Sequence, residues 1–541
     1  MRRYYHQQLL EVLNTTSEAW VEIRRLLSIG NLHAASRLVA DCYDAALDVS
    51  DFIQRLEGDG TKVSSLLLEY INFLAAAKVD AEDSAKCEQF VKHGRKCLMR
   101  IENSVRNDLR ANEFMILFVP YKASMWDSME SVWLAARDDP QCQDVVMPIP
   151  YFERAPDGEF SEMCYEGAQY PSYVPIMDWQ QFNIQEQHPD IIVFHYPYDS
   201  DNYVTSMHED YFAVKLRQAA DMLVYIPYFV TMNDVPEHFC VQPGTLLADK
   251  IIAQSDQARN DYARHLRQYE KQAGIEGALS RFSRNGGSVL ALGSPKFDKV
   301  LHTRREDCQI PAEWYKYIEK PDGTRKKIVL FITTIANTLQ GNEQIIRTLR
   351  RVFDCFVGRD DVALLWRPHP LIIATYASMR PGLLEEYLSV VGFYKQTDIG
   401  IYDDTGDLHR AIALSDAYYG PWSSLFILFQ ITGKPMMLQN EDIENKAAVQ
   451  PKPADELPAA FYKDPAACTD LFKFHYQESD SHSLRDYLDY IVLYGDSPQA
   501  TALGEQQVRV RKASLKNADG SAGREIYKHL KAAFVDNVSA R

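Results

Sequence analysis

The chain has 541 residues, of which 46% are hydrophobic and 25% are charged, values that are typical of a globular protein. At one domain per roughly 150 residues this length predicts three to four domains, and the composition excludes a disordered or fibrous chain. The net charge of −17 argues against bulk nucleic-acid binding, which relies on Lys and Arg meeting phosphates. We therefore expect no nucleic acid among the partners.

Neither the start of the chain nor its cysteines indicate secretion. The first residues, MRRYYHQQLLEVLN, lack the apolar core of a signal peptide, and no segment has 18 uninterrupted apolar residues. None of the nine cysteines is spaced as CxxC, and their odd number is typical of free thiols. These features predict a cytoplasmic protein without disulfides or a zinc site. Peripheral association with the inner face of the cell membrane stays open.

The first 110 residues predict a helical region. Apolar residues recur there at helical spacing, as Leu9, Leu13, Trp20 and Ile23 do. We expect residues 1–110 to form three or four amphipathic helices. They would pack on the rest of the chain or on another subunit, which would make the protein a homo-oligomer.

From residue 113 apolar strands alternate with helical stretches. The predicted strands are FMILFVP (114–120), DVVMPIP (144–150), DIIVFHYP (190–197), DMLVYIPYFV (221–230), KIIAQS (250–255) and SVLALGSP (288–295). Helices are predicted between several of them, for example at Asp256–Gln272. This alternation is typical of a parallel sheet covered on both faces. Residues 111–320 are therefore predicted to be an α/β domain.

A second series of the same kind predicts another α/β domain over residues 321–541, with helices at its end. Its strands are KKIVLFITT (326–334), VALLWRP (362–368), IGIYDD (399–404), AYYG (417–420) and PMMLQ (435–439). Ligands of such folds bind beyond the carboxyl ends of the strands. We therefore look for a site in the segments that follow strands.

The segment Arg367-Pro368-His369-Pro370 directly follows the strand VALLW. The prolines keep the turn from continuing as a helix, so Arg367 and His369 would project at the carboxyl end of the strand. A guanidinium binds phosphate through paired hydrogen bonds, and an imidazole can donate another. A structural turn with a hydrogen-bonded histidine is the alternative, and the basic pair favours phosphate binding.

Two other strand-end segments are candidates for phosphate contacts. Ser423 and Ser424 precede a helix, where serines either cap the helix or offer hydroxyl and backbone N–H groups to an anion, and the serines alone do not decide. Gly293-Ser294-Pro295-Lys296 follows SVLAL, and Lys296 could meet a phosphate there. A hinge turn is the alternative for this second segment.

His195 follows the strand DIIVF, where it could act as a general base. Asp199 and Asp201 form a DxD, which holds a metal–nucleotide pair in some glycosyltransferases, although acidic turns are common. The expected phosphate ligands are cations and hydroxyls, so we predict no metal and no cofactor. The sequence has no GxGxxG after a strand, no Walker A, no HExxH and no GxSxG, which argues against the chemistries of those motifs.

Several motifs now stand in one order: Arg367-Pro368-His369-Pro370, Ser415-Asp416, Ser423-Ser424 and Lys434-Pro435, with Gly293-x-Pro295 and Lys296 upstream. This ordered set resembles the CDP-glycerol glycerophosphotransferase family, the teichoic-acid primases and polymerases of bacterial cell walls. The resemblance covers roughly residues 112–440 and leaves out the helical region. It implies two Rossmann-like domains in the GT-B arrangement.

The resemblance also implies an activity. Such an enzyme moves a glycerol-phosphate or related alditol-phosphate unit from a CDP-activated donor to a hydroxyl of a polyol or glycan acceptor, in the synthesis of a cell-surface polymer, without a metal. Arg367 and His369 would neutralise the donor diphosphate and stabilise the leaving CMP. The full set of implied donor-binding residues is Arg367, His369, Ser423, Ser424, Gly293, Lys296 and Asp416.

The sequence departs from the family pattern where the general base is expected. Family members carry a His-Gly-(Thr/Ser)-Pro motif after a strand of the first domain, and the corresponding stretch, LVYIPYFVTMND (223–234), has neither His nor Gly. His195 has the best placement for the base and His238 comes second; the alternative is that His195 only hydrogen-bonds its neighbouring turn. Two rival functions stay open: a nucleotide-sugar glycosyltransferase or 2-epimerase on the same fold, and a non-catalytic nucleotide-binding scaffold.

Overall fold

The structure is a computed structural model, and it describes residues 1–58, 60–77, 84–109, 113–154, 159–202, 204–232, 234–282, 287–341, 343–397, 399–439, 476–477, 483–496 and 498–539. The chain forms two compact units. The first comprises Met1–Ile116, Asp139–Asp144 and Gln185–Asp190, and the second comprises Leu117–Asp138, Val145–Ile184 and Ile191–Arg541. Within the described ranges, none of the helices combines the length and the apolar character that crossing a membrane requires.

Long helices make up most of the first unit: α1 (Arg3–Ser28), α2 (Leu32–Glu57), α3 (Lys62–Ala75) and α4 (Ser84–Asp108). Their buried apolar faces form one core, in which the Trp20 indole donates a 2.7 Å hydrogen bond to the Tyr70 hydroxyl. A Cβ at Gly94 would lie 2.2 Å from the Trp20 ring, so only glycine lets α4 approach α1 this closely. The helical character expected for this region is confirmed.

Two sheets contain the strands that precede residue 320. The strands are β1 (Phe114–Phe118), β2 (Cys142–Val146), β3 (Tyr151–Arg154), β4 (Phe160–Cys164), β5 (Ile191–Phe194), β6 (Thr205–Met207), β7 (Met222–Tyr225), β8 (Lys250–Ala253) and β9 (Val289–Ala291). The first sheet has the order β2-β1-β5-β7-β8-β9, and β5, β7, β8 and β9 pair in parallel. The order of the smaller, antiparallel sheet is β4-β3-β6.

Helices alternate with these strands. They are α5 (Glu130–Arg137), α6 (Ile184–Gln187), α7 (Ala213–Gln218), α8 (Glu237–Cys240), α9 (Pro243–Leu247), α10 (Asp256–Gln272) and α11 (Pro295–His302). The start of α10 is fixed by Ser255, whose hydroxyl accepts the Ala258 N–H at 3.0 Å. Such caps explain why the sequence predicts the bounds of this helix well.

A second parallel sheet follows in the chain. Its strands are β10 (Lys327–Thr333), β11 (Val362–Pro368), β12 (Gly400–Tyr402), β13 (Ala417–Gly420), β14 (Met436–Leu438) and β15 (Tyr476–Gln477). Their order is β12-β11-β10-β13-β14-β15, and every neighbouring pair is parallel. Side chains of β10 and β11 are buried almost throughout, as expected for central strands with helices on both faces.

The helices after residue 310 surround this sheet or extend beyond it. They are α12 (Tyr315–Ile318), α13 (Ile335–Gly341), α14 (Glu343–Asp354), α15 (Ile372–Met379), α16 (Pro381–Gln396), α17 (Leu408–Leu414), α18 (Ser424–Phe429), α19 (Leu484–Tyr487), α20 (Pro498–Ser514) and α21 (Ala522–Ser539). The last of them, α21, packs on α5, which follows β1. The end of the chain thus returns to the first sheet.

A buried carboxylate holds the start of α21 in place. Asp298 is fully buried and accepts the Ala522 N–H at 3.1 Å, the Gly523 N–H at 2.8 Å and the Ser131 hydroxyl at 2.8 Å. A carboxylate at the amino end of a helix satisfies N–H groups that have no partner within the helix. Asp298 therefore joins α21, α11 and α5.

The α/β class predicted from the sequence is confirmed, with parallel sheets preceded by a helical region. The domain boundaries near residues 110 and 320 stay predictions. Three features were not expected: the antiparallel sheet, the helix α11 that begins at Pro295 in place of a loop, and the long helix α20. Residues 440–475, which belong to the predicted second α/β domain, lie outside the described residues.

We predict that Asp298→Ala lowers the free energy of unfolding by about 2–3 kcal/mol, because it leaves buried donors without an acceptor. The urea midpoint of the full chain measures the change. Asp138→Ala, whose side chain is 73% exposed, is the matched control and should have little effect. If the two variants unfold at the same urea concentration, Asp298 does not hold α21.

Candidate functional site

The carboxyl end of β11 carries the strongest candidate residues. In the parallel register of β10 and β11, Arg367 lies beside Ile332 and Pro368 lies beside Thr333. The His369 N–H then donates to the Thr333 carbonyl at 3.0 Å, so the chain leaves the sheet only after His369. Arg367 and His369 are therefore carried on rigid backbone at the edge where ligands of parallel sheets bind.

Arg367 is oriented by a buried carboxylate on the neighbouring strand. Its Nη1 donates to Asp403 Oδ2 at 2.5 Å, and Asp403, which directly follows β12, is fully buried. Asp403 is the only hydrogen-bond partner of the Arg367 guanidinium among the described residues. Because a guanidinium has five N–H donors, this pairing leaves donors for an anionic ligand.

His369 is exposed and presents a hydrogen-bond donor. Its Nδ1 accepts the Leu371 N–H at 3.2 Å, so the neutral imidazole carries its hydrogen on Nε2. Partial burial of the ring and, to a smaller extent, the Arg367 charge lower the pKa of His369 below its ordinary value. His369 is therefore neutral at pH 7 and offers Nε2–H to a ligand.

Ser423 and Ser424 follow β13, which is separated from β11 in the sheet by β10. The Ser423 hydroxyl accepts the Phe426 N–H at 3.1 Å and caps α18, whereas Ser424 is exposed. Neighbouring strands lie about 4.8 Å apart, which places the ends of β11 and β13 roughly 10 Å from each other. Ser423 therefore caps the helix, which is the alternative that the sequence left open, and Ser424 is the exposed serine of the pair.

The other predicted donor-binding residues have structural partners. Asp416 lies at the amino end of β13, the opposite edge of the sheet, where it accepts hydrogen bonds from Arg325 at 2.6 Å and from the Ile328 N–H at 2.8 Å. A Cβ at Gly293 (φ +97°) would lie 2.4 Å from the Lys516 carbonyl oxygen. These contacts favour a structural role for Asp416 and Gly293 over the donor binding predicted from the sequence.

Lys296 is also committed to another partner. Its Nζ lies 2.6 Å from both carboxylate oxygens of Asp127, and both side chains are buried. His409 Nε2 lies 2.8 Å from the same carboxylate. The pairing neutralises the ammonium group, so this geometry favours an internal ion pair over the predicted contact between Lys296 and a phosphate.

His195 is fully enclosed, which weighs against the predicted role as general base. The Tyr121 N–H donates to its Nε2 at 3.3 Å, so Nδ1 carries the hydrogen and donates to the Ser128 hydroxyl at 2.9 Å. Burial and, less strongly, the nearby Lys296 charge lower its pKa to about 3. A neutral histidine with both nitrogens bonded and no exposed surface cannot take a proton from a bound hydroxyl without rearrangement.

The second candidate for the base, His238, has the accessibility that His195 lacks. It lies on α8 beyond the carboxyl end of β7, and its ring is exposed and packs against Phe239 with ring centroids 4.3 Å apart. No hydrogen bond holds its ring nitrogens among the described residues.

The Asp199 carboxylate of the DxD accepts the Ala213 N–H at 2.9 Å, and no group of three metal-ligand side chains occurs in the described part of the chain.

Several residues of this candidate site were not expected from the sequence. Asp403 pairs with Arg367, the Thr405 hydroxyl donates to Asp403, and Arg410 donates to Thr405. Asp127 joins Lys296 to His409. Asp403 could have been found, because it is the first aspartate of the stretch IGIYDD and directly follows the strand β12, which neighbours β11 in the sheet. Asp127 could not, because its partners are 169 and 282 residues away in the sequence.

No protein-family model and no curated protein matches the chain. Similar solved structures include the wall teichoic acid polymerase TagF, 13% identical over 84% of this chain and 99% of that chain, with a TM-score of 0.45. A UDP-N-acetylglucosamine 2-epimerase is 12% identical (77% and 95% covered, TM-score 0.43), and the UDP-GlcNAc 2-epimerase of Neisseria meningitidis bound to UDP-GlcNAc is 10% identical (77% and 100%, TM-score 0.40). With TM-scores below 0.5, these likenesses assign no function to the chain.

We predict that His195→Gln makes stability less dependent on pH. The pKa of about 3 in the folded state is below the ordinary 6.5, so the unfolded chain binds the proton first as the pH falls. The stabilisation from neutral His195 is complete above about pH 6.5 and is lost towards pH 3, at up to about 1.4 kcal/mol per pH unit.

Urea unfolding at pH 7 and pH 5 measures this difference. Wild type should lose more unfolding free energy between the two pH values than His195→Gln does. The exposed His33 on α2 provides the control, because His33→Gln should follow wild type. Equal pH dependence of wild type and His195→Gln would mean that His195 is not held neutral.

Proposed function

We propose that the protein is a transferase that uses a nucleotide-diphosphate-activated donor and binds the donor diphosphate at Arg367 and His369. The observation that carries the proposal is the carboxyl end of β11, where a guanidinium held by Asp403 and an imidazole with a free Nε2–H stand two residues apart. Guanidinium and imidazole donors match the oxygens of a diphosphate. Ser424 would add a hydroxyl from the end of β13.

The finer proposal is that the donor is CDP-glycerol or a related CDP-alditol, which rests on the ordered motifs around Arg367-Pro368-His369-Pro370. In this reaction the oxygen of an acceptor hydroxyl forms a bond to the β-phosphorus, and the bond from that phosphorus to CMP breaks. Negative charge then grows on the leaving CMP, next to Arg367 and His369. Stabilising that charge with fixed donors is the main contribution an active site makes to such a step.

We assign the general base to His238 in place of His195. The acceptor hydroxyl must give up its proton as it attacks, and an accessible imidazole suits proton transfer near neutral pH. His238 is exposed beyond the carboxyl end of β7, whereas His195 is enclosed. The polyol or glycan acceptor would then approach from the side of the first sheet.

A ligand screen tests the choice of donor. Thermal unfolding is measured with CDP-glycerol, CMP, UDP-sugars and GDP-sugars, because a ligand that binds the folded state raises the melting temperature. We expect CDP-glycerol and CMP to raise it. Stabilisation by UDP-sugars alone would favour a glycosyltransferase or 2-epimerase, and no stabilisation by any of them would favour a scaffold.

For His369→Ala we predict a turnover about 10²–10³-fold below wild type, the scale of losing one donor to developing negative charge. The melting temperature should stay close to that of wild type, because the side chain is exposed. Release of CMP from CDP-glycerol in the presence of a polyol acceptor measures turnover. Full activity, or a large loss of stability, would assign His369 to the turn alone.

For His238→Gln we predict unchanged binding of CMP and transfer that is slower by about 10²–10⁴-fold, since only the proton acceptor is removed. Single-turnover release of CMP separates the chemical step from binding. His265→Gln, on α10, is the control and should transfer normally. Normal transfer by His238→Gln would show that another group, or an acceptor that is already ionised, supplies the base.

A further inference from the structure

The buried carboxylate that orients Arg367 is itself held by a second set of contacts. Asp403 Oδ1 accepts the Thr405 hydroxyl at 2.6 Å and the Thr405 backbone N–H at 3.1 Å. The Arg410 guanidinium donates to the same hydroxyl at 2.8 Å and lies 3.8 Å from Asp403. Both Asp403 oxygens are therefore engaged, one by Arg367 and the other by Thr405, which precedes α17.

A neighbouring residue on α17 contacts a buried carboxylate from the segment that follows β1. His409, which precedes Arg410, has its Nε2 2.8 Å from Asp127 Oδ2. Asp127 belongs to the 3₁₀ helix Ala123–Ser128, which follows β1. Among the described residues this carboxylate is the only hydrogen-bond partner of the His409 ring, so the bond anchors α17 at this point.

The charges around Asp127 favour the hydrogen bond between His409 and Asp127 at neutral pH. Burial opposes ionisation of Asp127, but the charge of Lys296 and the hydrogen bond from His409 outweigh it and hold the pKa of Asp127 well below its ordinary value. The carboxylate is therefore ionised and can accept the His409 Nε2–H. Lys296 balances the charge of this carboxylate inside the protein.

We propose that Asp403, Arg410 and His409 are positioning residues for the donor site, and that they hold Arg367 in the geometry that binds a diphosphate. The inference rests on the proposed function for its ligand, and on the observed contacts for its parts. The path runs from Asp127 through His409 to α17. It continues from Arg410 of that helix through Thr405, which precedes it, to Asp403 and Arg367.

The physical gain is preorganisation. A free arginine side chain loses rotamer entropy on binding, and a guanidinium already fixed by Asp403 has lost part of that entropy during folding. Binding a ligand to such a group costs less conformational entropy, so more of the interaction energy contributes to affinity. Removing a positioning residue should therefore weaken binding only as long as Arg367 is present.

A double-mutant cycle tests this coupling, because it measures whether two residues act through each other. The measurement is the Kd of the full-length protein for CDP, by calorimetry, in wild type, Asp403→Asn, Arg367→Ala and the double variant. We expect Asp403→Asn to weaken CDP binding about tenfold when Arg367 is present, and by less than about twofold in the Arg367→Ala background. A merely structural role would give equal losses in both backgrounds.

Two further variants extend the cycle along the path. His409→Leu should weaken CDP binding about threefold, again only with Arg367 present, and His33→Leu on the exposed face of α2 is the matched control without effect. If Asp403→Asn does not fold, Thr405→Val removes the hydroxyl between Arg410 and Asp403 and carries the same test. Equal losses in both backgrounds overturn the positioning inference alone. Unchanged CDP binding by Arg367→Ala overturns the proposed donor site as well.

Discussion

The parallel arrangement of the four strands β10, β11, β12 and β13 is the constraint on which the candidate site depends. Strands that run in one direction end at one edge of the sheet, so the segments that follow them meet there. Arg367 lies at the carboxyl end of β11 and His369 directly follows it, while Asp403 follows β12 and Ser423 follows β13. Four polar groups are thus collected from three separate stretches of chain, each positioned by buried backbone.

Two ion pairs at strand ends show why a basic residue after a strand is not by itself a ligand. Lys296 contacts both oxygens of the Asp127 carboxylate, and both side chains are buried. The ammonium charge is therefore already balanced inside the protein. Arg367 shares its carboxylate with Thr405 and Arg410 and uses one donor to do so. Pairing with a carboxylate therefore commits Lys296 to a contact inside the protein, whereas it orients Arg367 and leaves donors available.

Local pattern was enough to predict much of the fold. The strand 362–368 and the helix Asp256–Gln272 have the bounds that the sequence predicts, because an apolar run and a serine cap are short-range signals. The antiparallel sheet was missed, because its strand Phe160–Cys164 contains polar residues and lacks an apolar run. Its partners come from Tyr151–Arg154 and Thr205–Met207, which the sequence does not connect.

The site could be predicted only where its chemistry is local. Arg367 and His369 could be proposed from the sequence because their strand and their prolines are contiguous. Whether a side chain can bind a ligand or already has a partner within the protein depends on residues far away in the sequence. The structure gives such partners to His195, Lys296 and Asp416. A histidine at a strand end can be enclosed by residues far from it in the sequence, as Tyr121 and Ser128 enclose His195.

A crystal structure of the protein with CDP-glycerol bound would show directly where the donor diphosphate binds. We expect the diphosphate within hydrogen-bond distance of Arg367 and of His369 Nε2, at the carboxyl end of β11. The opposite edge of the same sheet has a pocket of about 620 Å³ that includes Lys434, Arg509 and Lys512 among its lining residues. CDP-glycerol bound in that pocket, with the end of β11 untouched, would contradict the account.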